Sequence, residues 1–201
     1  MSPLATGRHD VPRPDAQRAP GLRTIGGPST EERVLSIVQA STPEQLDAIR
    51  ELVREYIGWV YDSQGDLGAP TFEGLDEELA ALPGEFGPPD GRLLLATHDG
   101  RTAGCIALRR NDATTGEVKR LYVRPDFRGL RIGEHLVARL LDEARAIGYR
   151  RLVLDSHTSM TRAHALYRAA GFRDVPTPED FPAHLKPVVV FMEMELAPLS
   201  A

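Results

Sequence analysis

The residues best placed to do chemistry lie in one continuous stretch, Glu117–Leu141, with the sequence EVKRLYVRPDFRGLRIGEHLVARLL. The β-branched and aromatic residues of Glu117–Val123 predict a strand that Pro125 closes, because proline cannot donate to a strand ladder. Arg128–Gly133 then supplies two arginines and two glycines where helix-spaced apolar residues begin at Ile132. A strand that enters a helix through such a turn directs free backbone N–H groups at one point. The stretch therefore predicts an anion site, most plausibly for a phosphate.

Composition narrows the classes of protein that this chain fits. It has 201 residues, a hydrophobic fraction of 41% and a formal net charge of −5, which suit one globular domain without an overall basic field. We therefore expect neither nucleic acid nor a membrane as a partner. The single cysteine, Cys105, excludes an intramolecular disulfide and a multi-cysteine zinc site, and we expect no metal. No apolar run is long enough for a signal peptide or a membrane span, so the expected location is cytoplasmic.

Local patterns divide the chain into a leader and one domain. Residues 1–30 mix Pro, Gly, Arg and Asp with few large apolar side chains, which predicts a disordered leader before a domain at 31–201. Helices are expected at 43–61, 75–82, 132–147 and 161–170. The expected strands are Arg33–Ala40, Arg92–Thr97, Thr102–Arg109, Glu117–Val123, Arg151–Asp155 and Val188–Leu196. The middle strands predict a three-stranded antiparallel meander, followed by a parallel neighbour for Glu117–Val123.

The order of these elements, with RGLRIG at residues 128–133 and LYRAAGF at residues 166–172, resembles the GNAT superfamily of acetyl-CoA-dependent N-acetyltransferases. The resemblance covers roughly Arg33–Leu196, most of the chain. It implies an α/β fold, with a GNAT-like mixed, mostly antiparallel central sheet and flanking helices. It also implies an acyltransferase that uses acetyl-CoA as its cosubstrate.

The resemblance assigns a cofactor role to the strand end and to the turn after it. In this family, backbone amides of the turn hold the pyrophosphate of the cofactor, and the strand end pairs with its pantetheine arm. Arg131 stands where the family usually has its middle glycine, and its backbone N–H can still donate if the loop keeps φ below zero. The guanidinium groups of Arg128 and Arg131 are expected to add positive charge. The implied cofactor-binding residues are Leu121, Val123, Arg128, Gly129, Leu130, Arg131, Ile132, Gly133 and Glu134.

The resemblance also implies catalytic roles. Tyr167 matches the tyrosine that protonates the departing thiolate in many relatives, while backbone N–H near Val123 would polarise the thioester oxygen. An asparagine seven residues before that tyrosine is common in the family, and Met160 takes its position here, so its polar role is not carried over. The attacking amine must lose a proton. Glu117 is the leading candidate for the base or for ordering a water, and Asp155 is its rival.

One cysteine, two histidines and three aromatic residues are further candidates for the site or the core. Cys105 lies in an apolar run and is expected to be a small buried hydrophobe rather than a nucleophile. His157 and His164 are expected on the surface or beside the cofactor, without a metal. Tyr56, Trp59 and Phe72 fit either an acceptor pocket or the core.

These observations predict direct transfer of an acetyl group from acetyl-CoA to a primary amine of a small molecule or amino acid. Two alternatives stay open: a protein lysine or N-terminal acetyltransferase, and a catalytically inactive module that binds acyl-CoA. The departures at Arg131 and Met160 motivate the second alternative. A homodimer also stays open.

Overall fold

The structure is a computed structural model that describes residues 34–64 and 74–197, without the side chains of residues 62–64. All of these belong to one compact unit, Arg33–Ala201. The predicted disordered leader and Phe72 lie outside the described residues.

The described strands form one seven-stranded sheet in the order β1-β2-β3-β4-β5-β7-β6. Only β4 and β5 run parallel, and every other neighbouring pair is antiparallel. The predicted fold class and the antiparallel meander of β2, β3 and β4 are therefore confirmed. The strands are β1 Leu35–Gln39, β2 Arg92–His98, β3 Arg101–Arg110, β4 Thr115–Val123, β5 Arg151–His157, β6 Arg173–Val175 and β7 Val189–Glu195.

In the described part of the chain, four α-helices accompany the sheet, and each begins where the sequence predicted. They are α1 Pro43–Gln64, α2 Leu75–Ala81, α3 Ile132–Ile147 and α4 Thr161–Ala170. Short 3-10 turns lie at Gly84–Phe86, Pro125–Phe127 and Lys186–Val188. The sequence did not predict β6, because a three-residue strand carries no periodic signal and forms here only by pairing with β7.

Side-chain chemistry sets the start of α1, and glycines set the ends of α3 and α4. The Gln45 N–H donates to Thr42 Oγ1 at 3.3 Å, and the Thr42 N–H donates back to Gln45 Oε1 at 3.2 Å. This reciprocal pair is a capping box. Gly148 and Gly171 close α3 and α4 with φ values of 103° and 109°, where a side chain would be strained.

The core has two parts. One joins α3 and α4 to the sheet through residues such as Leu136, Leu140 and Leu152, and the other contains α1 residues such as Ile49 and Leu52. The second cluster also includes Cys105, which is 1% exposed and matches the prediction of a buried hydrophobe. A single sheet therefore supports the elements that carry the site.

The parallel pair β4 and β5 separates soon after it forms. The two strands pair only at Thr115, Gly116 and Glu117 of β4, although both continue for several residues. Opposite β3, Cys105 faces Tyr122 and Ala107 faces Lys119, so three steps along β4 match two steps along β3. This extra residue is a β-bulge, and bulges bend a strand and increase its twist. The bend opens a gap between β4 and β5.

Gly104 lies opposite Val123 on the strand that supports this bend. A Cβ at Gly104 would stand 2.5 Å from the Tyr122 carbonyl oxygen, whereas a Cβ at Gly58 in α1 would meet nothing within 4 Å. We predict that Gly104→Ala lowers the free energy of unfolding by about 1–3 kcal/mol through overpacking. Gly58→Ala, the matched control, should raise it by about 0.5–1 kcal/mol because alanine favours a helix. Urea unfolding measures both, and a neutral Gly104→Ala would contradict the close approach.

Candidate active site

Two adjoining cavities open at the gap between β4 and β5. The inner cavity, of about 210 Å³, lies between the two strands and is lined by Lys119, Asp155, His157 and Tyr167, among others. The outer cleft, of about 870 Å³, runs along the turn between β4 and α3 and across the start of α4. Both contain Tyr56, Leu121, Met160 and Ala163, so the two spaces meet at these side chains.

The outer cleft gathers most of the predicted cofactor residues. Leu130 is the exception, because it is 40% exposed and does not line the cleft. The strand end and the helix start meet here because Pro125–Phe127 forms one short turn between them. The predicted residues that line the cleft are Leu121, Val123, Arg128, Gly129, Arg131, Ile132, Gly133 and Glu134.

Backbone N–H groups of the turn are available to a ligand. Within the described part of the chain, five of them have no protein acceptor in hydrogen-bonding geometry. Their neighbours are satisfied: the Arg128 N–H donates to the Pro125 carbonyl at 3.1 Å, and the His135 N–H to the Arg131 carbonyl at 3.1 Å. The five free groups belong to Gly129, Arg131, Ile132, Gly133 and Glu134. Such a cluster at a helix N-terminus suits an anion with several oxygens, such as a pyrophosphate.

Arg131 departs from the expected conformation. Its φ is 59°, in the left-handed region, so the condition of a negative φ is not met, although its N–H is among the five free groups. The residue immediately precedes α3, and the turn retains the left-handed geometry that a glycine would accept freely. Its side chain turns back to Glu134, with an Nε to Oε2 distance of 2.5 Å, and is 75% exposed. The turn therefore keeps its shape at the cost of backbone strain at Arg131.

Two further contacts shape the outer cleft. A Cβ at Gly133 would stand 3.0 Å from Leu166 Cδ1, so the missing side chain lets α3 approach α4 closely. The Arg128 guanidinium lies over the Trp59 ring, 5.7 Å from its centre, and both residues line the cleft. A cation over an indole face is attracted to it, so this contact orients Arg128 beside the free amides.

Tyr167 is the predicted general acid, and it lies at the wall of the inner cavity. It is 6% exposed, and its ring packs edge-on against Phe172 with the ring centres 5.4 Å apart. Burial raises the pKa of Tyr167 well above its usual value, so the phenol stays protonated across the working pH range. Among the described residues, none hydrogen-bonds its hydroxyl. The hydroxyl is therefore a neutral donor available to a ligand.

Glu117 lies outside both cavities, although the sequence favoured it as the base. Its side chain is 14% exposed, and its two carboxylate oxygens lie 2.6 Å from Arg109 Nε and 2.6 Å from Lys119 Nζ. The reason is its position in the paired part of β4, whereas the cavity opens beyond the last pair. Asp155, the rival candidate, does line the inner cavity, and its Oδ1 lies 2.5 Å from Lys119 Nζ.

Lys119 joins these two carboxylates, and the sequence-based reasoning did not include it as a site residue. Its neighbour in the bulge, Arg120, has a φ of 58° and forms two hydrogen bonds to Glu78 of α2, at 3.1 and 2.8 Å. The sequence signal for Lys119 was present, because residues two apart in a strand share a face and Glu117 precedes it by two. No local signal indicated that Phe181 and Leu185 from the C-terminal segment also line the inner cavity.

The remaining candidates have mixed outcomes. His164 was expected at the surface or beside the cofactor, but it is 4% exposed and its Nε2 lies 3.1 Å from Ser156 Oγ. His157 lines the inner cavity. Tyr56 lines both cavities, and Trp59 lines the outer cleft while remaining 37% exposed.

Two observations concern metals and membranes. Across residues 34–64 and 74–197, no group of three or more His, Cys, Asp or Glu side chains is arranged to hold a metal ion. None of the described helices has both the length and the apolar character needed to cross a bilayer.

The backbone strain at Arg131 leads to a prediction about stability. Arg131→Gly should raise the free energy of unfolding of the unliganded protein by about 1 kcal/mol, because glycine adopts a positive φ without a steric cost. The lost ion pair with Glu134 is exposed and contributes little. Arg128→Gly is the matched control, since Arg128 has a φ of −66° and glycine there should destabilise. Urea unfolding measures the free energy of unfolding of both variants. An equal decrease in the two would contradict the backbone strain at Arg131.

Comparison with known proteins identifies the family. The model of the acetyltransferase (GNAT) family matches residues 48–172. An uncharacterised N-acetyltransferase of Schizosaccharomyces pombe is 36% identical over 165 residues, covering 81% of this chain and 96% of that protein. The aminoglycoside N(6')-acetyltransferase type 1 of Stenotrophomonas maltophilia is 31% identical over 121 residues, covering 56% of this chain and 79% of that protein.

A solved structure shows the same fold. The PaiA N-acetyltransferase of Thermoplasma acidophilum, determined in complex with coenzyme A, superposes with a TM-score of 0.61 at 21% identity. The match covers 81% of this chain and 99% of that one. The family match, the relatives and the separated β4 and β5 strands agree, and this chain is an acyltransferase that belongs to the GNAT family of acetyltransferases.

Proposed function

We propose that this chain transfers an acetyl group from acetyl-CoA directly to a primary amine of a small molecule. The observation that carries the proposal is the junction of the two cavities. An outer cleft with five unpartnered amides opens beside an inner cavity that contains Tyr167 and Asp155. One bound molecule can therefore reach from the turn at α3 to the Tyr167 hydroxyl.

The residues of the outer cleft fit coenzyme A. The five free amides of the turn suit its pyrophosphate, and the guanidinium of Arg128 adds positive charge beside them. The edge of β4 suits its pantetheine arm. The Arg124 N–H donates to Ala103 of β3 at 2.9 Å, and successive N–H groups of a strand point to opposite edges. The Val123 N–H therefore faces the gap. The structural relative solved with coenzyme A supports coenzyme A as the ligand of the cleft.

Acetyl-CoA, when bound, supplies an acetyl thioester whose sulfur departs as a thiolate once the amine nitrogen has bonded to the carbonyl carbon. In this proposal the Val123 N–H donates to the carbonyl oxygen, where negative charge develops during the reaction. The Tyr167 hydroxyl gives its proton to the departing sulfur. The cavity walls hold the amine against the carbonyl carbon, which supplies much of the acceleration without a covalent enzyme intermediate.

Asp155 is our proposed acceptor of the proton that the amine loses. It faces the inner cavity directly, while Glu117 reaches that space only through Lys119. We therefore propose that Glu117 positions Lys119, which in turn holds the Asp155 carboxylate in place. A carboxylate at the cavity wall also attracts the ammonium form of an incoming amine.

The size of the inner cavity supports a small acceptor. Its volume of about 210 Å³ is below the roughly 300–1,000 Å³ of pockets for drug-sized ligands. Phe181, Leu185 and Val188 make one wall apolar. The Stenotrophomonas maltophilia relative, named for an aminoglycoside, supports a small-molecule amine as the acceptor. The cytoplasmic location, the absence of nucleic-acid and membrane partners and the homodimer remain predictions.

Release of free thiol from acetyl-CoA, measured with a panel of small amines, amino acids, lysine peptides and protein N-terminal peptides, tests the function. We expect turnover with small amines and an acetylated product by mass spectrometry. Tyr167→Phe keeps the buried ring and should lower kcat about 10²–10⁴-fold. Tyr149→Phe is the matched control, because the Tyr149 hydroxyl donates to the Asp90 carbonyl at 2.8 Å, away from both cavities.

Three outcomes would contradict parts of this proposal. Turnover with peptides alone would make the protein a protein acetyltransferase. Tight binding of acetyl-CoA without turnover on any amine would favour an inactive acyl-CoA-binding module. Equal kcat for Tyr167→Phe and the parent enzyme would remove the general-acid role.

Substitutions distinguish the proposed roles of the two carboxylates, Asp155 and Glu117. Asp155→Asn should lower kcat/KM about 10²-fold or more, because the amide accepts no proton and does not attract a cation. Glu117→Gln should cause a smaller loss, about tenfold, through the position of Lys119. Steady-state rates between pH 6 and about pH 9 measure both. The reverse order of effects would restore Glu117 as the base.

A further inference from the structure

His157 lies at the end of β5, and a contact with a backbone N–H shows which of its ring nitrogens accepts a hydrogen bond. The Ser159 N–H lies 3.2 Å from His157 Nδ1, and the Ser159 hydroxyl oxygen lies 2.9 Å from the same atom. A backbone N–H can only donate, so Nδ1 carries a lone pair and accepts. A neutral imidazole with an unprotonated Nδ1 carries its hydrogen on Nε2. Burial lowers the pKa of His157, which keeps the ring neutral near pH 7.

Among residues 34–64 and 74–197, the Nε2–H of this ring has no partner. It is the one buried side-chain nitrogen or oxygen without a hydrogen-bond partner in the described part of the chain. A buried donor without an acceptor destabilises a folded protein by about 1–3 kcal/mol. His157 lines the inner cavity, but its Nε2 atom is itself buried, so an oxygen of a ligand reaches it only when the side chains around it move.

The position of His157 connects this donor to the acceptor substrate. Leu152 and Leu154 face the core beneath α4, and Ser156 follows them to contact His164. Asp155 and His157 therefore share the opposite face of β5, with their side chains roughly 7 Å apart along the strand. Both residues line the inner cavity, so a carboxylate and a neutral histidine whose Nε2–H is buried lie side by side in its wall.

Given the proposed acetyl transfer, we propose that His157 recognises the acceptor through Nε2–H. The acceptor is then a primary amine that also carries a hydrogen-bond-accepting oxygen, such as an amino acid or an amino alcohol. Its nitrogen lies near Asp155 and its oxygen accepts from His157. His157 is thus a residue that determines specificity and takes no part in the proton transfers.

The neighbouring cations leave this role to His157. Lys119 lies between Glu117 and Asp155 at 2.6 and 2.5 Å, and Arg120 is engaged with Glu78. Each is already paired with a carboxylate, which weakens its attraction for a further oxygen of the acceptor. The His157 donor has no such competitor, and a neutral donor suits a hydroxyl or amide oxygen as well as a carboxylate.

Paired amines with a shared carbon skeleton test the proposal: propylamine against 3-aminopropanol and against β-alanine. The measured quantity is the ratio of kcat/KM within each pair, for the parent and for two variants. His157→Asn places an amide oxygen near the position of Nδ1, which keeps an acceptor for Ser159 but removes the distant donor. His157→Gln returns an N–H near the position of Nε2. His184→Asn is the matched control, since His184 is exposed and lines neither cavity.

We expect the parent to prefer the oxygen-bearing amine of at least one pair by about tenfold, the value of one hydrogen bond. His157→Asn should remove that preference, His157→Gln should restore part of it, and His184→Asn should retain it. KM for acetyl-CoA should not follow the same order. A general loss of folding would instead lower kcat/KM equally for both amines of each pair, in both His157 variants.

Binding separates this proposal from the proposed transfer. Calorimetric titration of the same amines into the protein saturated with coenzyme A gives a readout that needs no turnover. Tighter binding of the oxygen-bearing amine to the parent, lost in His157→Asn, supports the role of His157 even when no amine is acetylated. Equal affinity within every pair, no binding of any amine, or an unchanged preference in His157→Asn overturns it.

Discussion

The separation of β4 from β5 is the constraint on which both cavities depend. Two parallel strands in a sheet normally satisfy each other's backbone groups along their length, but here pairing stops at Glu117. The bulge at Arg120 bends β4, while β3 continues to hold it through Tyr122 and Val123. β5 remains fully paired with β7 on its other side. The sheet therefore opens in one place, while β4 stays paired with β3 and β5 stays paired with β7. The unpaired backbone of β4 becomes available to a ligand.

Of the three described non-glycine residues with a positive φ, two border this opening, and the third, Asp99, lies in the turn between β2 and β3. Arg120 and Arg131 both hold a positive φ, at 58° and 59°, and each belongs to a segment that borders a cavity. His157 adds a buried donor without a partner in the described part of the chain. Such costs persist when the surrounding packing holds the residue in place, and they cluster at functional sites. The core beneath α3 supplies that support, since Ile132 and Leu136 are almost fully buried.

The charges near the inner cavity form a connected series rather than independent pairs. Arg109 holds Glu117, Glu117 holds Lys119, and Lys119 holds Asp155. Of these four residues, Lys119 and Asp155 line the inner cavity and the other two do not. Partly buried charges linked in this way are costly to break singly, because removing one leaves its neighbour without compensation. The series therefore places the Asp155 carboxylate at the cavity wall and restricts its movement, which suits the proposed role of Asp155 as the base.

The sequence by itself determined the starts of the four described helices and the turn that gathers the free amides, while its resemblance to the GNAT superfamily implied the fold class. The helix starts and the turn follow from local periodicity, from the Thr42 and Gln45 cap and from glycines at Gly129 and Gly148, all of which act over a few residues. Only the tertiary structure decided that Asp155 and not Glu117 reaches the cavity, because the pairing of β4 with β5 ends between them. It also decided the φ of Arg131 and the missing partner of His157 Nε2. These properties depend on contacts between distant segments, which no local pattern in the chain records.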